Sequence, residues 1–466
     1  MGKPLRKGKK KSGARAPKKL SMDEMIQLAV GLQQRSALGE AEILYQKILA
    51  VIPEHPDALH FFGVLRHQRG RSEEAIRLIQ RSLKAAPEYT DAHNNLGNIY
   101  RELDRLSDAE CCYRRVIELN PEHAGAYNNL GTVLRAKGAV SDAQAAYQKS
   151  ITLDPDAFRP YENMGNLLSR QGKVREAVAY YSQAIVLNPN HPGCKRMLGI
   201  AFSCMGRIDE AATVFREWTE KEPDNPVARH LLAACSGERV PERASDAYVK
   251  KVFDNFAGHF EERLERLEYR APELITGAVA AAHGEPSGDL VILDAGCGTG
   301  LCGPKLRSFA GRLEGVDLSP GMLKRAESTG CYDFLVEAEL TEFIGARNSA
   351  YDLIVSADTL CYFGDLSNVM STAAAALRPD GRFIFTVERT PEGGTAMTGT
   401  YHLNPLGRYS HQENYVSDIV SRAGLKMESI VNAVLRTEMG SPVEGLVVTA
   451  KAAPPQVSEQ LNPSIS

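Results

Sequence analysis

The chain has 466 residues, of which 43% are hydrophobic and 24% charged, the balance of a soluble globular protein with room for about three domains. No stretch approaches the ~18 uninterrupted apolar residues of a membrane-spanning helix, which excludes a membrane-embedded protein. The net charge of −3 is unevenly spread: residues 1–20 carry +9, residues 21–240 carry −2 and residues 241–466 carry −10.

The opening stretch MGKPLRKGKKKSGARAPKKL holds seven Lys, two Arg and no acid. It lacks the apolar core of a secretory signal, and Arg6 stands where N-myristoylation requires Ser or Thr. Such a composition buries too little surface to order itself, so residues 1–20 are expected to form a disordered basic tail. The tail either solubilises the chain or serves as a non-specific arm for RNA, the ribosome or an anionic membrane surface. The nine cysteines contain no CxxC pair and no His at finger spacing, so neither a zinc site nor a disulfide framework is expected. Free thiols in a reducing cytoplasm follow.

From residue 21 a period of 34 residues governs the chain. Pro53, Pro87, Pro121, Pro155, Pro189 and Pro223 keep that step, as do Gly63, Gly97, Gly131, Gly165 and Gly199. Ala41, Ala75, Ala109, Ala143, Ala177 and Ala211 hold a second phase, and Tyr45, Ile79, Tyr113, Tyr147, Tyr181 and Phe215 place a large group four residues after each. The pattern reads as six helix pairs, in which a small residue lets two backbones approach and a proline ends each pair. It resembles the tetratricopeptide (TPR) repeat family, which implies an α-helical solenoid over residues 21–236. PVARHLLAAC (residues 226–235) reads as a sealing helix, because end units must cover an otherwise exposed face. The first unit departs from the pattern, with Ala29 in place of glycine.

The concave face of such a solenoid is where the family binds extended peptides. Asn95, Asn129 and Asn163 share one phase, and Asn98 and Asn166 another. A row of amides donates and accepts together, which suits a peptide backbone. The alternatives are that these are tolerated surface residues, or that the face serves self-association.

The repeat ends after Ser236, and residues 237–246 read as a linker. AYVKKVFDNFAGHFEERLERLEYRA (residues 247–271) is helical in period. VILD (Val291–Asp294) reads as a buried parallel strand and runs directly into AGCGTGLCG, a strand, glycine turn and helix that presents backbone N–H groups to a ligand. The spacing Gly296, Gly298, Gly300 differs from the GxGxxG of a dinucleotide site. Asp317 follows Gly300 by 17 residues at the end of LEGVDL, and Ser319 and Met322 come next.

With these motifs in view, residues 247–451 resemble the class I S-adenosylmethionine-dependent methyltransferases, a Rossmann-like α/β fold whose seven-stranded sheet has an antiparallel closing strand. The resemblance implies that Asp294, Gly296, Cys297, Gly298 and Gly300 hold the methionine end of S-adenosylmethionine. It implies that Asp317 and Leu318 take the ribose, that Met322, Ala338 and Glu339 take the adenine, and that Ala357 borders the site. Glu339 is a mild departure, since Asp is usual there. FLVEAEL, YDLIVSADTLCYF and LRPDGRFIFTVE read as the third, fourth and fifth strands, with residues 378–381 as a turn before the fifth. Residues 426–431 and 445–450 read as the closing pair, and residues 452–466 as a disordered tail. The lead-in and C-terminal text are similar to predicted bacterial methyltransferases that carry TPR repeats in the same chain.

Methyl transfer from a sulfonium depends chiefly on positioning, and a base is needed only when the acceptor must lose a proton. Tyr362, His402 and His411 are the catalytic candidates, with Glu388, Tyr401 and Tyr409 as further acceptor-side groups. The loop PEGGTAMTGT (residues 391–400) reads as a lid. SADT in place of an Asn-Pro-Pro motif disfavours base-amine methylation, and the acidity of this half disfavours nucleic acid except through the tail. Three readings stand: a methyltransferase whose repeats recruit a protein or protein-tethered substrate; a small-molecule methyltransferase acting on a quinone- or acyl-type metabolite; and a catalytically inactive scaffold.

Overall fold

The structure, a computed structural model, describes residues 21–256, 267–390, 400–438 and 441–453. The basic tail, residues 257–266 of the stretch read as helical, residues 391–399 of the 391–400 loop read as a lid, and the chain end from residue 454 lie outside the described residues. Two compact units divide the chain, Met1–Leu167 and Leu168–Ser466.

The first unit is built from helix pairs: α1 (Met22–Gln34) with α2 (Leu38–Val51), α3 (Pro56–Gln68) with α4 (Ser72–Ala85), α5 (Thr90–Glu102) with α6 (Leu106–Leu119), and α7 (Ala124–Ala136) with α8 (Val140–Leu153). Helix α9 (Phe158–Arg170) follows. The two strongest periodic signals turn out to be one contact. A Cβ on Gly97 would lie 2.8 Å from the Tyr113 ring, and one on Gly131 2.7 Å from the Tyr147 ring. Each large side chain therefore packs on bare backbone of the preceding helix, and Tyr45, Tyr113 and Tyr147 are wholly buried. In the first unit Ala29 is equally buried, and Ser21 and Glu24 cap α1 through reciprocal bonds of 3.2 and 2.8 Å. A further series at the 34-residue step, Ser36, Gly70, Asp104, Gly138, Gly172 and Gly206, turns each first helix into its second with φ between 58° and 79°.

The second unit begins with α10 (Val174–Leu187), α11 (Pro192–Cys204), α12 (Ile208–Lys221) and α13 (Pro226–Ser236). Pro226 at the first turn and the Asn225 side chain, which accepts from Val227 N at 3.0 Å, start α13, and Gly237 at φ 69° stops it. This helix is sealed by protein. Its Ala233 and Ala234 pack on Leu403 and Tyr409, and His230 Nε2 meets the Gly407 carbonyl at 2.9 Å. The stretch read as a linker is tied down as well: Tyr409 donates to the Pro241 carbonyl at 2.6 Å, Gly364 N to the Glu242 carbonyl at 2.8 Å, and Ala244 N to the Tyr362 carbonyl at 2.8 Å.

Helices α14 (Asp246–Phe256) and α15 (Ala271–His283) lead into the sheet. Strands β1 (Leu290–Ala295), β2 (Ala310–Asp317), β3 (Phe334–Glu337), β4 (Tyr351–Ser356) and β5 (Leu377–Arg389) are parallel, in the order β3-β2-β1-β4-β5. β9 (Ser441–Ala452) closes antiparallel on β5 and pairs with β8 (Leu425–Glu438). All seven expected strands are present. A hairpin of β6 (Tyr401–Leu403) and β7 (Tyr409–His411) is added to them through Glu388 and Arg389 of β5. β3 is shorter than the sequence suggests, because Glu339 caps the helix Leu340–Gly345 by accepting from Glu342 N at 2.9 Å. Residues 378–381 fall within β5, with Asp380 at φ 66°. The strand order reverses between β1 and β4, which places a ligand crevice beyond their carboxyl ends.

Candidate active site

β1 delivers Asp294 and Ala295 into the glycine turn at that crevice. Gly296 takes φ 79°, and a Cβ there would collide with Thr359 from the loop after β4. Gly300, at φ 86°, is pressed by the Tyr332 ring and by Ala326. Asp317 at the end of β2 accepts from Gly298 N at 3.0 Å and, through its other oxygen, from Ser319 N at 2.8 Å. A carboxylate offers about four lone-pair sites, so two remain for a vicinal diol. Ser319 caps the helix Pro320–Ser328, accepting from Met322 N at 3.2 Å while donating to Asp254 of α14 at 2.5 Å. Asp294 is buried and receives the Tyr332 hydroxyl at 2.7 Å; burial pushes its carboxyl up to about 7 against that bond. Burial also raises Asp317, with the Ser319, Gly298 and Leu318 amides opposing.

These groups line one cavity of about 270 Å³. Asp294, Gly296, Cys297, Gly298, Asp317, Leu318, Met322, Ala338, Glu339 and Ala357 are all on its wall, whereas Gly300 lies behind it in contact with Tyr332. Thr299 Oγ1 is buried on the wall with no hydrogen-bond partner, whereas Glu339 Oε1 lies 3.6 Å from the Arg243 guanidinium. An orphaned hydroxyl, a carboxylate with acceptor capacity to spare and a glycine cradle fit a polar nucleoside ligand.

Of the catalytic candidates, Tyr362 lines the cavity, and burial holds its hydroxyl well above the ordinary phenol value. His402 and His411 do not line it. His411 is wholly buried on β7 with Nε2 against the Gly364 carbonyl at 3.0 Å, and burial lowers its imidazole to about 4. Tyr401 and Tyr409 pack beside it in the hairpin. Glu388 joins a buried ionic cluster that sequence reasoning missed. Arg436 reaches both oxygens of Asp358 at 2.7 Å, Glu438 at 2.9 Å and Glu388, while Arg408 binds Glu388 at 2.7 Å and also Glu438. Asp358, Cys361 and Glu388 come within metal-ligand distance of one another, but the Arg436 guanidinium already occupies both carboxylates.

Residues 293–385 match the family model described as a methyltransferase domain, and residues 62–111, 94–158 and 168–235 match tetratricopeptide repeat models. The chain carries tetratricopeptide repeats and a methyltransferase domain. It is similar to methyltransferase-like protein 27 of Homo sapiens, 40% identical over 85 residues that make up 18% of this chain and 34% of that protein. It is also similar to the ubiquinone biosynthesis O-methyltransferase of Methylobacterium sp. (strain 4-46), 30% identical over 142 residues, 28% of this chain and 56% of the relative. The chain thus spans between a third and just over half of the length of these two curated relatives. A solved structure of Pseudomonas aeruginosa pilF covers 46% of this chain and 96% of its own at 20% identity, with a TM-score of 0.41.

In the TPR repeats of the first unit, the amides bond to one another across neighbouring pairs. Asn163 donates to Asn128 at 2.9 Å, Asn129 to Asn94 at 3.3 Å and to Asn98 at 3.4 Å, and Asn95 to His60 at 2.8 Å. Asn98, Asn129 and Asn163, with Asn128 and Thr132, line a polar cavity of about 350 Å³; Asn95 and Asn166 do not. Asn94 and Asn128 repeat at the same 34-residue step, a signal that was available in the sequence. No helix among the described residues is long and apolar enough to cross a membrane.

Proposed function

We propose that this TPR methyltransferase domain binds S-adenosylmethionine and transfers its methyl group to a small-molecule acceptor. The observation that carries the cofactor assignment is Asp317, held by two backbone amides at the end of β2 with lone pairs left for a diol, beside the Gly296–Gly300 turn. The sulfonium supplies an activated methyl and leaves as a neutral thioether. The chain holds and orients: Asp317 takes the ribose hydroxyls, Met322 packs on the adenine, Ala338 and Glu339 border it, and Asp294 with the turn amides takes the methionine end. No histidine is among the described residues lining the cavity, and Asp358 and Glu438 are bound by Arg436. Tyr362, which keeps its proton, acts as a hydrogen-bond donor, and rate enhancement comes from positioning.

Two of the readings assign an acceptor. The apolar side chains on the cavity wall favour the small-molecule one, in keeping with the oxygen acceptor named for the ubiquinone biosynthesis relative. The amide-lined cavity of the first unit then binds a peptide partner in the cytoplasm. Calorimetry tests the cofactor: absence of S-adenosylmethionine binding at millimolar concentration would sink the enzyme reading in favour of an inactive scaffold. Radiolabelled methyl transfer into lysate, by the full chain and by residues 168–466, tests recruitment. Small-molecule labelling that survives the truncation supports a partner role for the first unit, and a protein band lost with it supports substrate recruitment instead.

A further inference from the structure

Part of the cavity wall comes from the repeats. Besides Arg196 of α11, Ile200 of the same helix and Val227 and Leu231 of α13 face the same cavity as Asp294 and Asp317. They belong to one apolar cluster with Phe215, Trp218 and Tyr248, and Tyr362, from the loop after β4, packs against it. Tyr362 also packs on the core of the sheet, so this one side chain joins the methyl-transfer end of the crevice to the repeat helices. The helices are held there by the His230–Gly407 bond and by the His230 ring lying on Tyr248 at 4.0 Å between centroids.

Accepting the S-adenosylmethionine reading above, we propose that the last repeat and its terminal helix form the acceptor subsite, taking a small molecule whose apolar body lies on Ile200, Val227 and Leu231 with its reactive heteroatom beside Tyr362. Apolar walls gain free energy by shedding water against an apolar body, whereas a peptide backbone laid there would lose its hydrogen bonds to water. Val227 and Leu231 are buried and back the wall, while half-buried Ile200 offers its accessible apolar face, a small area that suits a compact molecule. The repeats are then part of the catalytic unit as well as a platform for partners.

The test uses the full chain with tritiated S-adenosylmethionine and two fractions of the source cells, a chloroform–methanol extract and the protein. Label is expected in the extract. Ile200→Glu, which sets a carboxylate on the apolar wall, should lower it by about tenfold or more, while Val186→Glu, on the exposed face of α10, leaves it within about twofold. Both variants should bind S-adenosylhomocysteine as the wild type does, which shows that they are folded. Unchanged extract labelling by Ile200→Glu, label confined to protein, or no label from a chain that binds S-adenosylhomocysteine overturns the proposal. A wild-type chain that fails to bind S-adenosylhomocysteine overturns the cofactor reading, and this one with it.

Discussion

Replacing Asp317 by asparagine tests the core of the site with almost no change in volume. Each carboxylate oxygen accepts one backbone N–H, from Gly298 at 3.0 Å and Ser319 at 2.8 Å. Asparagine has one acceptor oxygen and an NH₂ group, so in either orientation one buried backbone donor faces another donor. An unsatisfied buried donor costs about 1–3 kcal/mol, which sets the expected loss of stability. Ligand binding loses a charge-assisted bond to a hydroxyl as well, worth about 1.5–3 kcal/mol, or roughly 10- to 150-fold in Kd. Titration calorimetry with S-adenosylmethionine measures the second quantity, and urea unfolding without ligand measures the first. An affinity within twofold of wild type, in a variant that also unfolds at the wild-type midpoint, would refute both the ribose assignment and the argument that Asp317 holds the glycine turn.

Other consequences follow from the same packing and charge. Gly131→Ala sets a methyl group 2.7 Å from the Tyr147 ring and should cost about 1–3 kcal/mol of stability; an unchanged urea midpoint would show that the repeat backbones have slack there. Arg436→Leu strips Asp358 of its ion pair and leaves the buried Glu388 and the half-buried Glu438 to Arg408 alone among the cations, so a loss of about 3–5 kcal/mol is expected, partly restored by adding Glu388→Gln. Asp294, raised to about 7 when folded, keeps a proton that the unfolded chain sheds near pH ~4; stability therefore falls as pH rises from ~4 to 7 and then levels off. A cationic ligand favours the carboxylate, so binding at pH ~6 should release a proton to the buffer and binding well above 7 should not. Calorimetry in two buffers of different ionisation heat checks this, and equal heats at both pH values would refute it.

The repeat was legible because each of its rules acts within 34 residues. Gly97 and Tyr113, or Gly131 and Tyr147, are 16 residues apart on paired helices, and the contact between them leaves a periodic mark in the composition. The left-handed series from Ser36 to Gly206 was equally periodic but was obscured by Ser36 and Asp104, which tolerate that backbone without being glycine. The glycine motif after β1 was legible for a similar reason: a strand, a glycine turn and an acid held by nearby backbone amides are local features. His402 and His411 were singled out by composition, yet sequence does not say which way a three-residue strand faces, and the fold turns His411 into the core against Gly364.

By itself, then, the chain text determined the helix pairs, the strands in chain order and the glycine turn with the acid that follows it, because local spacing controls each of them. The tertiary structure alone decided what closes the site. Tyr332 reaches Asp294 across 38 residues, Arg436 reaches Asp358 across 78, and His230 reaches Gly407 across 177. Such pairs share no period, since they arise from strand crossovers and helix docking, and no spacing in the sequence marks the repeat helices that line the cavity.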